Sequence, residues 1–153
     1  MPAHLARLAE LGIDLPAVAA PLAAYVPAVR SGSLVYTSGQ LPTRDGVLAV
    51  TGKVGGRVTP EQAVGLARTC ALNALAAVHA LVGLDSVMRV VKVVGYVACT
   101  PEFTGQPAVV NGASEFLGEV FGAAGAHART AIGVAALPLD APVELELVVE
   151  VSP

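Results

Sequence analysis

The chain has 153 residues, of which 54% are hydrophobic, 4% aromatic and 14% charged, with a formal charge of −3 at neutral pH. Nine Lys and Arg against twelve Asp and Glu form no basic stripe, and three Tyr, three Phe and no Trp offer no stacking platform, so no nucleic-acid partner is expected. An apolar excess of this size in a chain of one-domain length points to a homo-oligomer, because a small domain hides only part of its surface.

Met1-Pro2-Ala3-His4 has no basic patch leading into an apolar core, so no signal peptide is expected and the expected compartment is the cytoplasm. Leu5, Leu8 and Leu11 recur at helical spacing before Gly12, which predicts a short amphipathic helix within an N-terminal extension, residues 1–22. Tyr25–Arg30 and Leu34–Thr37, around Ser31-Gly32, predict a β-hairpin; Asp45-Gly46 predicts a turn and Val47–Val50 a short strand. Gly52-Lys53-Val54-Gly55-Gly56 lacks P-loop spacing and predicts a flexible loop rather than a phosphate cradle.

Thr59-Pro60-Glu61-Gln62 is the sharpest local signal. Thr59 can cap a helix, Pro60 suits its first position and Gln62 can reach back, so a helix should run from there to Gly83. Ala63–Leu84 is the most apolar run, but Arg68, Asn73 and His79 interrupt it, so a buried helix is expected rather than a membrane span. Val87–Ala98, rich in Val, predicts a central strand, and Gln106–Phe121 a second helix stopped by Gly122. Thr130–Ala136 and Val143–Val151 predict two strands joined by Leu137–Pro142. In the last strand Val143, Leu145, Leu147, Val149 and Val151 share one face, opposite Glu144, Glu146 and Glu150. The order predicts a single α+β domain, residues 1–153, in two layers: a mixed sheet with two long helices packed on one face.

Chemistry-bearing residues are few. Cys70 and Cys99 have neither metal nor redox spacing and are expected as buried thiols. His4, His79 and His127 fall on different elements without helical metal-site spacing, so no metal site is expected. Ser38 follows a strand but lacks the surroundings of a nucleophile, so its hydroxyl should serve structure or hydrogen-bond a ligand. Arg129 stands at the entry of a strand in a segment almost free of charge. Its guanidinium suits two roles equally: a salt bridge to Glu144, Glu146 or Glu150 on a neighbouring strand, or a bidentate grip on a small carboxylate. Glu144 is the leading carboxylate to handle a water or a proton beside it.

Three separated motifs occur in order: Tyr25-Val26-Pro27 leading to Leu34-Val35-Tyr36-Thr37-Ser38-Gly39-Gln40-Leu41-Pro42, then Val109-Val110-Asn111, then Ala128-Arg129-Thr130 continuing to Val143-Glu144-Leu145-Glu146. Together they resemble the RidA/YjgF family of reactive-intermediate deaminases over about Tyr25 to Glu150. The resemblance implies a chorismate-mutase-like fold, assembled as a homotrimer with ligand sites between subunits. It implies hydrolysis of small enamines or imines to a 2-keto acid and ammonia, with no metal or bound cofactor. Arg129 then matches the residue that grips the substrate carboxylate, and Tyr25, Ser38, Asn111 and Glu144 match other residues of that site. Where the family often has Gly-Pro before the tyrosine this chain has Ala23-Ala24, and where it often has cysteine two residues after the arginine this chain has Ala131, whose backbone groups can still meet a ligand. A carboxylate binder without catalysis, and a ribonuclease or translation inhibitor, are the alternative functions.

Overall fold

In the computed structural model, which describes residues 3–20 and 23–153, the Thr59 hydroxyl accepts the Gln62 amide at 3.1 Å and the Gln62 side chain accepts the Thr59 amide at 2.9 Å. This reciprocal cap starts helix α2, Pro60–Val82, at the predicted residue. The helix ends at Gly83, where φ is +81°. By length and composition it could cross a membrane, yet it is the core helix of the fold, with Ala67, Cys70, Ala71, Ala74 and Leu75 fully buried.

The other elements follow the same order. Helix α1 spans His4–Glu10, strands β1 and β2 span Ala28–Ser31 and Leu34–Thr37, and strand β3 spans Val87–Ala98. Helix α3 spans Gln106–Phe121, strand β4 Ala128–Val134 and strand β5 Val143–Val151. The five strands form one sheet in the order β1-β2-β5-β3-β4, parallel only between β3 and β4. Helices α2 and α3 pack on one face, as the alternation in β5 predicts: Val143, Leu145, Leu147, Val149 and Val151 are buried, while Glu144, Glu146 and Glu150 face away. Close approach of the layers depends on small residues. A Cβ on Gly95 would lie 2.5 Å from Val110, and one on Gly112 would lie 2.1 Å from the Val64 carbonyl oxygen.

No described layer covers the second face. It carries Val29, Tyr36, Met88 and Ile132, each between two-fifths and just over one-half exposed. Of the expected N-terminal extension, Met1, Pro2, Pro21 and Leu22 lie outside the described residues. Its helix is tied down by His4, whose Nε2 bonds the Val87 carbonyl at 2.9 Å, and by buried Leu8.

Four expectations are corrected. Val47–Val50 is not a strand, because its only ladder contact is an isolated bridge between Val47 and Arg44. The first strand begins at Ala28, not Tyr25, and β4 spans Ala128–Val134 rather than Thr130–Ala136, so Arg129 lies inside the strand. The Gly52–Gly56 segment is hydrogen-bonded rather than free: the amides of Gly52, Gly55 and Gly56 donate to the carbonyls of Asp140, Val58 and Lys53. Those amides are therefore spent on the main chain, not presented to an anion.

Candidate functional site

Two clusters of the predicted residues form, and they form apart. The first is built where the ends of the β1–β2 hairpin meet β5. The Ser38 amide donates to the Pro27 carbonyl at 2.8 Å and its hydroxyl donates to the Val26 carbonyl at 2.6 Å. Ser38 thus staples the segment bearing Tyr25 to the one bearing Gly39, the first of the two roles expected of its hydroxyl. Paired bonds between Gln40 and Leu145, at 2.8 and 3.0 Å, then seat Gly39 against Glu144. A Cβ on Gly39 would fall 2.9 Å from the Glu144 Cδ, so glycine is what leaves room for the carboxylate. Tyr25, Gly39 and Glu144 line one cavity of about 430 Å³. Its floor is held from beneath by buried Asn73, whose amide donates to the Leu41 and Thr43 carbonyls at 3.0 and 2.9 Å.

Burial raises the Glu144 carboxyl above its ordinary value, and the Glu146 charge adds to the rise. Glu146 itself accepts the Tyr96 hydroxyl at 2.5 Å, and that bond, with burial and the two glutamate charges, pushes the phenol up to about 12. Cys70 is no nucleophile: burial first, then the Glu144 charge, holds its thiol well above the usual value.

The second cluster lies where β4 meets α3. Arg129 Nη1 donates to Asn111 Oδ1 at 2.7 Å and to Ser114 Oγ at 3.2 Å, and Nη2 donates to the Pro107 carbonyl at 3.3 Å. His127 keeps Ser114 in place: one ring nitrogen bonds the Gly125 carbonyl at 2.6 Å and the other meets Ser114 Oγ at 2.9 Å. Every partner of the guanidinium is neutral, and among the described residues it forms no ion pair. These partners take Nη1 and Nη2, and among the described residues none accepts from Nε, whose N–H remains for a carboxylate approaching side-on.

The expected alternative, a salt bridge from Arg129 to Glu144, Glu146 or Glu150 on a neighbouring strand, is overturned by topology. β3 stands between β4 and β5: Arg129 is level with Val93, and Val93 with Leu147. Arg129 therefore shares the helix face with those buried residues, whereas Glu144, level with Tyr96, lies on the open face. Two strand spacings and three residues of rise separate them by roughly 14 Å within one chain. Asn111 and Arg129 are brought together, as are Tyr25, Ser38 and Glu144, but the two groups do not meet. Ala131, two residues along β4 from Arg129, lies on the arginine's side of the sheet opposite Gly95. Sequence reading missed Ser114 as an arginine partner, although its spacing of three from Asn111 places both on one side of α3.

The Glu144 environment carries a stability signature. A carboxyl whose folded pKa exceeds its unfolded value keeps its proton longer in the folded chain. Stability is then highest below the ordinary glutamate range and falls as pH rises from there through the raised value. Glu144→Gln removes this loss, so its Tm at neutral pH is expected to equal or exceed that of the wild type. The gap should close by about pH 3, below both values, where both states are protonated. Thermal melts across that range check it; a glutamine variant less stable at neutral pH contradicts the buried-charge account.

Residues 5–151 match the family model described as "YjgF/chorismate_mutase-like, putative endoribonuclease". Protein TCP17 of Trypanosoma cruzi is 46% identical over 149 residues, covering 96% of this chain and 93% of that protein. The crystal structure of Atu1372, a protein of unknown function from Agrobacterium tumefaciens, is 46% identical with a TM-score of 0.90, covering 97% of this chain and 92% of that one. The crystal structure of a "putative endoribonuclease" from Shewanella oneidensis is 31% identical with a TM-score of 0.93, covering 97% and 99%.

Proposed function

We propose, because this chain belongs to the YjgF/chorismate mutase-like family, that it is a hydrolytic deaminase of small reactive enamines and imines, acting in the cytoplasm. Its fold is the α+β fold of that family. The site lies in clefts between the subunits of a homotrimer, with Arg129 supplied by one chain and Tyr25 and Glu144 by the next. The observation that carries this reading is the Arg129 guanidinium, held by three neutral acceptors with no described carboxylate against its charge. A single chain cannot bring it to Glu144, and the half-exposed Val29, Tyr36 and Ile132 on the uncovered face suit burial against other copies.

In the proposed reaction the substrate carboxylate docks on Arg129, steadied by Asn111, with backbone groups at Ala131 alongside. Glu144 takes a proton from water as the water oxygen bonds to the imine carbon, and the nitrogen is protonated. Glu144 supplies that proton; it then takes the carbinolamine's hydroxyl proton as the C=O bond forms and returns it to the nitrogen as the C–N bond breaks, so that ammonia leaves a 2-keto acid. A carboxyl held above its ordinary value by burial is a stronger base toward water than a free carboxylate and keeps the proton it must later return, which suits the two halves of the step. This chemistry calls on no metal or organic cofactor. The endoribonuclease named in the family description would need cations to hold a polyanion, and a chain of charge −3 with no basic stripe supplies few.

The test is release of ammonia and keto acid from a freshly generated imino acid. Acceleration over the buffer rate is expected. Saturable keto-acid binding without acceleration would instead make the chain a carboxylate-binding protein.

A further inference from the structure

We infer that the cavity beside Glu144 reads the substrate's side chain and selects a large apolar one, of leucine to phenylalanine size, with Leu139 and Ala23 as specificity-determining residues. This rests on the deaminase reading above and adds a substrate class to it. The first observation is backbone strain. Leu139 and the next residue, Asp140, both have φ of +59°, a conformation that side-chain-bearing residues avoid and that clusters at functional sites.

The strain is held from outside the turn. Arg57 Nη2 donates to Asp140 Oδ2 at 3.1 Å and the Gly52 amide donates to the Asp140 carbonyl at 2.9 Å. What the strained turn achieves is to stand Leu139 on the cavity wall with 62% of its surface exposed in the single chain. The second observation is the opposite wall. The N-terminal extension and the segment after it contribute Ala19, Ala20 and Ala23, and Leu41 and Pro138 complete an apolar lining. An imino acid bound by its carboxylate, with its imine carbon at Glu144, has only its side chain left to enter this space.

Size decides which side chain. In one chain the cavity measures about 430 Å³, room for many waters. An alanine-derived imino acid has about six heavy atoms and would leave most of these against apolar walls, whereas a leucine or phenylalanine side chain displaces them.

The experiment uses the full chain with imino acids generated in situ from alanine, leucine and phenylalanine by an amino-acid oxidase, read as kcat/KM for ammonia release. The leucine- and phenylalanine-derived substrates are expected to exceed the alanine-derived one by roughly tenfold or more, the discrimination an apolar pocket gives for one or more methylenes. Ala23→Phe, which narrows the cavity, should shrink that ratio at least several-fold. Leu139→Gly, which suits the positive φ, should shrink it while raising Tm. Equal kcat/KM for all three substrates, or a ratio unmoved by both variants, overturns the inference and leaves the deaminase reading standing. Acceleration of none of them overturns both.

Discussion

Replacing Arg129 with alanine is expected to lower kcat/KM for a carboxylate-bearing imino acid by roughly 200- to 20,000-fold, mostly through KM, while leaving the fold intact. Two charge-assisted hydrogen bonds from a guanidinium fork are worth about 1.5–3 kcal/mol each, which sets that range. The loss falls on KM because the carboxylate takes no part in bond making and is held alike before and during reaction. Little stability should go with it. Arg129 is only partly buried, pairs with no described carboxylate, and leaves behind Asn111, which is exposed, and Ser114, which keeps His127 as a partner. Arg129→Lys should recover only a small part, because an ammonium on a flexible stem cannot present the planar fork. Steady-state kinetics with thermal melts of the same samples check this. Equal rates for the wild type and Arg129→Ala would remove the arginine from the site.

A second large effect is structural. Gly112→Ala is expected to cost about 3 kcal/mol and to lower Tm by roughly 6–12 °C. The added Cβ would lie 2.1 Å from the Val64 carbonyl oxygen, and backbone cannot swing aside as a side-chain tip can. Helices α2 and α3 must part, opening the contact between buried Ala63, Ala67, Ala113 and Phe116. Because α3 carries Asn111 and Ser114, the same shift moves two of the acceptors that hold Arg129. Gly118, on the same helix, is the control. Nothing lies within 4 Å of its would-be Cβ, so Gly118→Ala should instead stabilise by about 0.5–1 kcal/mol through helix propensity alone. Urea titration of both variants separates the two effects; equal changes would mean that the close helix crossing is not what Gly112 provides.

Elements whose ends are marked by local chemistry were legible in the sequence, and those set by partners were not. The bounds of α2 follow from the Thr59 cap and Gly83, and those of α3 from Gly122, because each signal acts within a few residues. Strand β4 starts two residues early because its ladder to β3 begins at Lys92 and Ala128, and Ala128-Arg129 holds no β-branched residue to announce it. Val47–Val50 has the composition of a strand but no sheet edge to join.

The site shows the same division. Arg129 and Glu144 could be singled out by residue type and motif, but their separation could not, because chain order makes β4 and β5 look adjacent while β3 inserts between them. The left-handed backbone of Leu139 was equally hidden: leucine does not signal it, and the groups that hold the next residue, Arg57 and Gly52, lie more than eighty residues earlier in the chain.

That separation also supplies the most direct test of an inter-subunit site. Arg129→Ala and Glu144→Gln chains, each nearly inactive alone at substrate well below KM, are mixed, unfolded and refolded together, and imino-acid hydrolysis is measured. In a cyclic trimer, random assembly gives three-quarters mixed trimers with one intact site in three, so about a quarter of wild-type activity should return. A mixture as inactive as its parents would contradict an active centre shared between Arg129 of one chain and Glu144 of the next.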